Sequence, residues 1–382
     1  MRRVVVFVFL SLVQVSYGRA QAFVAGEGAD FEWRVMGRAL FDGGLFFGDK
    51  TDLGNGMTFA DGRIGVVARF LQEWDGKIEF GYSAGRMSIR DVFVGYSRGN
   101  SRLQAGHFFE PFGIEGRVGT ADYRLMNGAS TAMLFGDKRK LGVAYLYTAR
   151  SYTAVAGFFG DTDTDNSRAE DEGYAVAGKL TYRPLFGDDR LIHLGLSGRF
   201  SEHGKSERAL YAYKGGVPTN VLSSTANQFL YAAVPDLVNQ WKWGADLIWL
   251  WNGLYLQGEY NRVSVNRASS LKNYAAQGAY VQAGILLLGD RRYPYSSAQG
   301  WVSNPGAGNL ELLLRYNVTD LNDDAAEIRG GKLQDVTLGA NYFINRYVAV
   351  RLNYVHASVD ENGFYGAEES FDYVQARLQL NF

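Results

Sequence analysis

The chain has 382 residues, a net charge of −1 and no cysteine. The absence of cysteine excludes a disulfide framework and thiol catalysis, and the near-neutral charge excludes a general affinity for nucleic acid. Aromatic residues make up 14% of it and there are 47 glycines against 6 prolines, a composition that favours strands joined by tight turns. With four histidines, none paired at helical metal-binding spacing, and no nucleophile elbow, we expect neither an enzyme nor a cofactor.

The N-terminus has the features of a secretory signal peptide. Residues 1–20 begin with two arginines, continue with an apolar core at Val4–Val15 that is too short to span a bilayer, and end in small residues. We predict cleavage after Ala20 or after Ala22. Loss of the first twenty residues removes three arginines and no acid, so the net charge changes from −1 to −4. Residues 21–29 are predicted to form a short irregular periplasmic segment.

From about residue 30 onward, apolar and polar residues alternate with a period of two, which is typical of strands between an apolar and a polar medium. In the last strand Val374, Leu378 and Phe382 share one face, and Gln375 and Arg377 share the other. We count 16 such segments of about ten residues, the length that a tilted crossing of a bilayer requires. No segment is suited to a transmembrane helix, so a membrane protein with this sequence would need a closed barrel.

The connections between these segments alternate in length. The short ones are 74–76, 99–101, 150–151, 184–189, 252–253 and 345–346, and the long ones are 42–60, 110–140, 160–173, 202–239, 266–278, 322–334 and 360–370. Two depart from the pattern: 290–308 is long on the short side, and 84–86 is short on the long side. We therefore predict an all-β fold over residues 30–382. It is a 16-stranded antiparallel transmembrane β-barrel with short periplasmic turns and long extracellular loops.

The polar face of the strands is predicted to line a lumen wide enough for water. Its bases are Arg34, Arg38, Arg63, Arg69, Lys77, Lys179, Arg199, Lys242, Arg315, Arg351 and Arg377, and its acids are Glu32, Glu73, Glu79, Asp246, Glu259 and Glu311. Basic side chains around a pore exclude cations, so this excess of bases predicts a pore for small anions. The alternative is that the bases pair with neighbouring acids and only keep the lumen polar.

Two loops carry further candidate sites. The 110–140 connection exceeds the usual loop length, and we expect it to fold inward and narrow the pore, with Arg117 and Arg124 at the constriction. The alternative is that these bases meet lipopolysaccharide phosphates outside. Asp161, Asp163, Asp165 and Glu172 have the spacing of an EF-hand calcium loop, but Asn166 replaces the usual glycine and strands flank it. An acidic outer loop explains these residues equally well, so we expect no metal and keep calcium as the alternative.

Several segments resemble a known family, the phosphate-selective porins O and P of Gram-negative outer membranes. They are Gln104–Gly113 with its Glu-Pro-Phe-Gly end, Arg139–Ala144, Leu254–Tyr260, Leu286–Tyr293 and the ending from Val336 to Phe382. The resemblance implies a homotrimeric outer-membrane porin of 16 strands that conducts small anions such as phosphate or polyphosphate. It also implies that Phe382 is the terminal aromatic residue recognised by the outer-membrane assembly machinery.

The closing strand and one aromatic stripe give two further expectations. Phe371–Phe382 is expected to pair with Asp30–Phe41, which would place Arg377 beside Arg34 and Arg38. The tryptophans between Trp241 and Trp251 lie on one face and would meet lipid or a neighbouring protomer. The alternative functions are a structural or adhesive barrel and a general porin without anion preference, and the alternative fold is a soluble β-sandwich.

Overall fold

The computed structural model of the protein describes residues 24–25, 31–136, 138–161, 171–187, 189–204, 208–268 and 270–382. The predicted signal peptide, residues 1–20, and both cleavage positions, Ala20 and Ala22, lie outside the described residues. Two of the calcium candidates, Asp163 and Asp165, lie outside them as well.

Sixteen antiparallel strands form a closed barrel, which confirms the predicted fold class. The first eight are β1 (Phe31–Phe47), β2 (Gly56–Phe70), β3 (Trp74–Ser83), β4 (Arg86–Arg98), β5 (Ser101–Phe109), β6 (Arg139–Thr148), β7 (Tyr152–Gly160) and β8 (Tyr174–Phe186). The others are β9 (Arg190–Glu202), β10 (Leu237–Trp251), β11 (Leu254–Arg267), β12 (Tyr274–Leu286), β13 (Leu310–Asp320), β14 (Lys332–Phe343), β15 (Val348–Val359) and β16 (Glu369–Asn381).

Each strand pairs with its neighbour in sequence, and β16 closes the barrel on β1. The closing register runs from Arg38 opposite Asn381 to Phe47 opposite Asp372. The expected closure of β16 on the first strand is confirmed, but of the expected range Asp30–Phe41 only Arg38–Phe41 belongs to this register. Strands in a barrel are staggered, and the first residues of β1 extend past the end of β16. That part of β1 pairs instead with β2 and with a two-residue strand, Val24–Ala25.

The outward face of the barrel is apolar. Leu314, Leu338 and Leu352 lie on three consecutive strands and are about half exposed. The inward-facing residues that alternate with such residues along the strands are mostly buried. Trp241 and Trp243 are also on this face, with exposed fractions of 54% and 45%. An apolar outside with a polar inside is the arrangement of a transmembrane barrel. Among the described residues, no helix is long and apolar enough to cross a bilayer.

Connections between strands occupy much of the interior. The connection from β5 to β6, whose described residues 110–136 we call the inner loop, contains a 3₁₀ turn at Glu115–Arg117 and a short helix, α1 (Ser130–Phe135). The β9–β10 connection contains a hairpin of Leu210–Gly215 with Leu230–Pro235. The β12–β13 connection, residues 287–309, contains a smaller one of Tyr295–Ser296 with Trp301–Val302. A 3₁₀ turn at Asp324–Ala326 follows β13.

Candidate functional site: the barrel lumen

The inner loop lies inside the barrel, against inward side chains of β13, β15 and β16. Arg351 Nη2 donates to the Ala121 carbonyl at 2.8 Å, and Arg315 Nη1 donates to the Asn127 carbonyl at 2.9 Å. Arg377 Nη1 donates to the Met126 carbonyl at 2.5 Å. Irregular backbone cannot pair its carbonyls within a sheet, and these guanidinium groups supply the missing donors.

The start of the inner loop is held by an acid of β11. The Glu259 carboxylate of β11 accepts the backbone N–H groups of Ile114 and Glu115, each at 2.8 Å. The Glu115 carboxylate accepts the Ala129 N–H at 2.7 Å and a hydrogen bond from Gln282 at 2.9 Å. Burial raises the pKa of Glu115 to about 7, and the nearby Glu259 charge adds to this against the opposing effect of Arg315.

These contacts correct part of the predicted lining. The side chains of Arg315, Arg351 and Arg377 face the inside, but they are at most 1% exposed because the inner loop covers them. Arg377 also forms a two-pronged ion pair with Asp42, both bonds at 2.7 Å, so it lies opposite Asp42 and not beside Arg34 and Arg38. These three arginines therefore anchor the inner loop and do not line open water.

Four other predicted bases are also at most 5% exposed, although Lys179 still borders the open space described below. Arg199 Nε donates to Glu110 at 2.5 Å, and Lys179 Nζ donates to Asp246 at 2.7 Å and to the Gly113 carbonyl at 2.9 Å. Lys242 Nζ donates to the carbonyl at the end of α1 at 3.3 Å. Arg124 of the inner loop, expected at the constriction, is 3% exposed and donates to Asn304 at 2.5 Å, so its side chain is buried between the inner loop and the β12–β13 connection.

The open space lies on the other side, along β1 to β8. It includes two cavities of about 710 Å³ each, an outer one toward the long connections and an inner one toward the short turns. The Phe109 side chain lines both, and the Arg139 guanidinium stacks 3.8 Å from its ring centroid. The outer cavity is lined by Arg63, Arg90, Lys138 and Arg139, and the inner by Arg34, Arg69, Arg102, Arg117 and Lys179.

Ion pairs run along the wall of this open side. The chain of contacts is Arg38–Asp61–Arg63–Glu79–Lys77–Asp91–Arg139, with separations between 2.6 and 3.3 Å. Pairing of bases with acids, which the sequence left open as the alternative, is therefore extensive here. Four bases and three acids alternate in the chain, so one positive charge remains in excess.

Arg90 and Arg102 line the open cavities, although the sequence pattern did not assign them. Ile78 pairs with Val92 and Phe80 with Ile89, so β4 carries one extra residue, and both Arg90 and Asp91 face the lumen. Such a bulge re-aims side chains and breaks the period-two alternation. The available signal was the pair of adjacent charged residues within an otherwise apolar strand.

Two arginines in the cavities have only neutral partners. Arg90 donates to the Ser83 hydroxyl at 3.1 Å, and Arg117 donates to the carbonyls of Gly113 and Gln299 at 3.1 and 2.9 Å. No carboxylate of the described ranges lies within ion-pair distance of either guanidinium. Each cavity therefore contains an arginine whose direct hydrogen-bond partners are neutral.

The β12–β13 connection, whose length had no sequence explanation, turns into the lumen from the end where the short turns lie. The carbonyl of Ser297 accepts a hydrogen bond from Thr153 at 3.0 Å, and that of Gln299 accepts one from Arg117. Asn304 Nδ2 donates to the Ala121 carbonyl at 2.9 Å. This connection therefore contacts the inner loop from the side of the short turns and supports its position in the lumen.

The described part of the acidic loop shows a different role for Asp161. Its carboxylate contacts His203 and accepts a hydrogen bond from Arg199 at 3.4 Å. Burial opposes ionisation, but the contact with His203 and the charges of Lys140 and Arg199 lower the pKa of Asp161 to about 2. Among the described residues, no group of three or more His, Asp or Glu side chains is placed to hold a metal.

A closed barrel of 16 strands with an apolar outside, a charged lumen and inward-folded connections defines an outer-membrane porin. The model of the family phosphate-selective porin O and P matches residues 37–382, and the chain belongs to that family. Its localisation is the outer membrane of a Gram-negative bacterium. An uncharacterized protein of Caulobacter vibrioides is 23% identical over 350 residues, which cover 86% of this chain and 68% of that protein.

Three solved structures share the fold. OmpT of Vibrio cholerae superposes with a TM-score of 0.62 at 14% identity, covering 94% of this chain and all of that one. The anion-selective porin from Comamonas acidovorans gives 0.60 at 12% identity, covering 92% and 100%. The outer membrane channel DcaP of Acinetobacter baumannii gives 0.60 at 13% identity, covering 94% and 100%. At these identities the likeness establishes the fold only.

Proposed function

We propose that this porin conducts small anions, phosphate or polyphosphate among them, by passive diffusion through the open side of its lumen. The observation that carries the proposal is the positive charge of Arg90 in the outer cavity and of Arg117 in the inner one, each with neutral partners only. Fixed charge of one sign in a narrow aqueous path raises the local concentration of ions of the opposite sign.

The surroundings of these two arginines support the same sign of selectivity. The ion-paired chain along the wall has one base in excess, so it does not cancel the charge of Arg90. The inner cavity is lined by five bases, including Arg34 and Arg69, and by two acids, Glu73 and Asp75, so bases are in excess there as well. The chain's family and its shared fold with an anion-selective porin are consistent with selectivity for anions, although neither identifies the solute of this chain.

The narrowest part of the path is proposed to lie where the two cavities meet. Phe109 and Arg139 stack there on the wall, and residues 116–118 of the inner loop face them across the open space. This assigns the constriction to Arg117 and Arg139, whereas Arg124 is buried.

The assembly is proposed to be a homotrimer embedded in outer-membrane lipid and lipopolysaccharide. A form of OmpT from Vibrio cholerae is described as a trimer, and it shares the fold. Phe382 is proposed as the residue recognised by the assembly machinery. Its backbone exchanges hydrogen bonds of 2.9 and 3.0 Å with Gly37 at the barrel seam.

Reversal potentials of purified protein in planar bilayers under a KCl gradient test the proposal. We expect anion selectivity, weakened by Arg90→Gln and by Arg117→Gln. Arg329→Gln is the matched control, because Arg329 is an exposed base outside the lumen. Cation selectivity of the unmodified channel would contradict the proposal. Equal permeability would favour a general porin, and absence of conductance would favour a structural or adhesive barrel. Phosphate and pyrophosphate are then added as competitors, and the concentration at which each reduces the chloride current ranks them as solutes.

A further inference from the structure

Part of the wall that faces the inner cavity is apolar, although the lumen of a water-filled barrel is usually polar. On β6 the exposed residues Leu141, Val143 and Tyr145 point outward, so Ala144 and Leu146 point into the lumen. On β7 Val155 points inward beside Leu146, which is its cross-strand partner. Ala144, Leu146 and Val155 all line the inner cavity.

The apolar pair lies between two bases in one row of the sheet. Arg102 pairs with Leu146, Leu146 with Val155, and Val155 with Lys179. Neighbouring strands are about 4.8 Å apart, so the two bases are separated at their backbones by about 14 Å. Both bases are ion-paired, Arg102 with Asp75 and Lys179 with Asp246, so an object that lies across Leu146 and Val155 meets a paired base at each end.

This patch adjoins a packed apolar cluster that contains Ala144 and against which Val155 also packs. Phe108 and Phe159 are buried against small residues of neighbouring strands, and their burial is explained by packing within the wall. Leu146 and Val155 are only half-buried and border open space. Packing within the wall does not account for the exposed part of these two side chains.

A third base faces the patch from the inner loop. Arg117 Nε and Lys179 Nζ both donate to the Gly113 carbonyl, so the two cations are adjacent, and Lys179 is the cross-strand partner of Val155. The Arg117 guanidinium also lies 5.8 Å from the ring centroid of Trp301. Its carbonyl partners hold it in place without neutralising it.

We propose that the inner cavity binds organic anions that carry an apolar ring, such as aromatic carboxylates. The carboxylate lies at Arg117 and the ring lies on Leu146 and Val155. This deepens the proposed anion conduction and rests on it. A cavity of 710 Å³ is within the range of small-molecule sites and holds a single-ring carboxylate together with water. Inorganic phosphate has the charge but no apolar surface to place on the patch.

The size of the expected preference follows from the surface that the patch can cover. Covering one face of a benzene ring removes about 60 Å² of apolar surface from water, which favours binding by about tenfold. Benzoate and acetate carry the same charge and differ chiefly in the ring. Benzoate is therefore expected to reduce the chloride current at about one tenth of the concentration that acetate requires.

Planar-bilayer recordings of the full-length porin with benzoate, acetate and inorganic phosphate as competitors test this. Val155→Thr keeps the side-chain volume, and Leu146→Asn replaces the apolar side chain by a smaller polar one. Both are expected to reduce the preference for benzoate over acetate toward one, leaving chloride selectivity unchanged. Arg117→Gln is expected to weaken both carboxylates. Val350→Thr, the same exchange on the outward face, is the matched control and leaves the ratio unchanged.

Each outcome is decisive. If the channel is anion-selective but benzoate and acetate reduce the chloride current equally well, the ring site is wrong and the proposed anion conduction is unaffected. A ratio of about ten that survives both Leu146→Asn and Val155→Thr also overturns the site, because the ring then binds elsewhere. Cation selectivity of the unmodified channel overturns both proposals together.

Discussion

Replacing Arg351 by methionine is expected to loosen the inner loop and widen the pore. Arg351 is fully buried on β15 and donates to the Ala121 carbonyl at 2.8 Å, to Asn304 Oδ1 at 3.1 Å and to the Tyr123 carbonyl. Methionine has a similar length and fills the space, but it donates no hydrogen bond. The Tyr123 carbonyl then loses its arginine donor. The Ala121 carbonyl keeps its hydrogen bond from Asn304, and Asn304 Oδ1 keeps the one from Arg124.

The magnitude follows from these three hydrogen bonds. A hydrogen bond to a charged group contributes about 1.5–3 kcal/mol, and removing the guanidinium also removes the free energy needed to bury it. We expect docking of residues 121–124 to weaken by about 3 kcal/mol, which is roughly a hundredfold in the ratio of docked to undocked loop. Arg315 and Arg377 still hold the carbonyls of Asn127 and Met126, so the rest of the loop stays in place.

Single-channel recording measures the effect directly. Arg351→Met is expected to raise the mean conductance and the open-channel noise, and to admit larger polymers in an exclusion assay. Arg351→Lys keeps the charge without the planar fork, so it separates loosening of the loop from loss of a positive charge. Arg329→Met, at an exposed position, serves as the control. If correctly folded Arg351→Met has the native conductance, noise and polymer cut-off, the arginine does not anchor the loop.

Three further predictions concern pH, the barrel seam and assembly. Because burial raises the pKa of Glu115 to about 7 from 4.5, the docked loop binds more protons than the undocked loop between these values. Docking is therefore strongest at low pH and loses up to about 3 kcal/mol as pH rises to about 7, so open-channel noise should increase over that range. Glu115→Gln should remove this dependence, and a retained dependence would assign it to another group. Asp42→Asn leaves the buried Arg377 guanidinium without its carboxylate and should destabilise the barrel by about 3–5 kcal/mol, seen as a lower midpoint of heat-induced unfolding on gels; an unchanged midpoint would show that the pair is not needed. Deleting Phe382 removes its backbone hydrogen bonds with Gly37 and should reduce the amount of folded barrel in outer membranes, whereas equal amounts would show that the terminal residue is dispensable.

The barrel could be predicted because its signal is local. A strand between lipid and an inward polar surface alternates with a period of two, and Leu352 and Tyr354 on β15 show this within a few residues. Antiparallel neighbours follow from short turns such as Asn252-Gly253, where both residues have the positive φ that a two-residue hairpin requires. Neither inference needs knowledge of contacts between distant parts of the chain.

The ends of strands were harder to predict, and as a result some inward-facing acids were missing from the predicted lumen. Gly43 and Gly44 favour a turn, so the sequence predicted a loop from residue 42, whereas β1 continues to Phe47. Pairing with β16 on one side and β2 on the other overrides the local preference. Asp42 and Asp61 are therefore inward-facing acids that pair with bases, and they were missing from the predicted lumen.

The division of the lumen into a packed side and an open side could not be inferred from the strands at all. A barrel of this size is too wide for wall side chains to fill, so its connections fill part of it, and their unpaired carbonyls require donors. Arg315, Arg351 and Arg377 supply those donors and lie beneath the inner loop, away from water. An excess of bases on the inward face is therefore not the same as an excess in the conducting path. The anion preference that we propose therefore depends on the bases that face the open side. Arg90 and Arg117 are such bases and have only neutral direct partners, and that is why single substitutions there are expected to change selectivity.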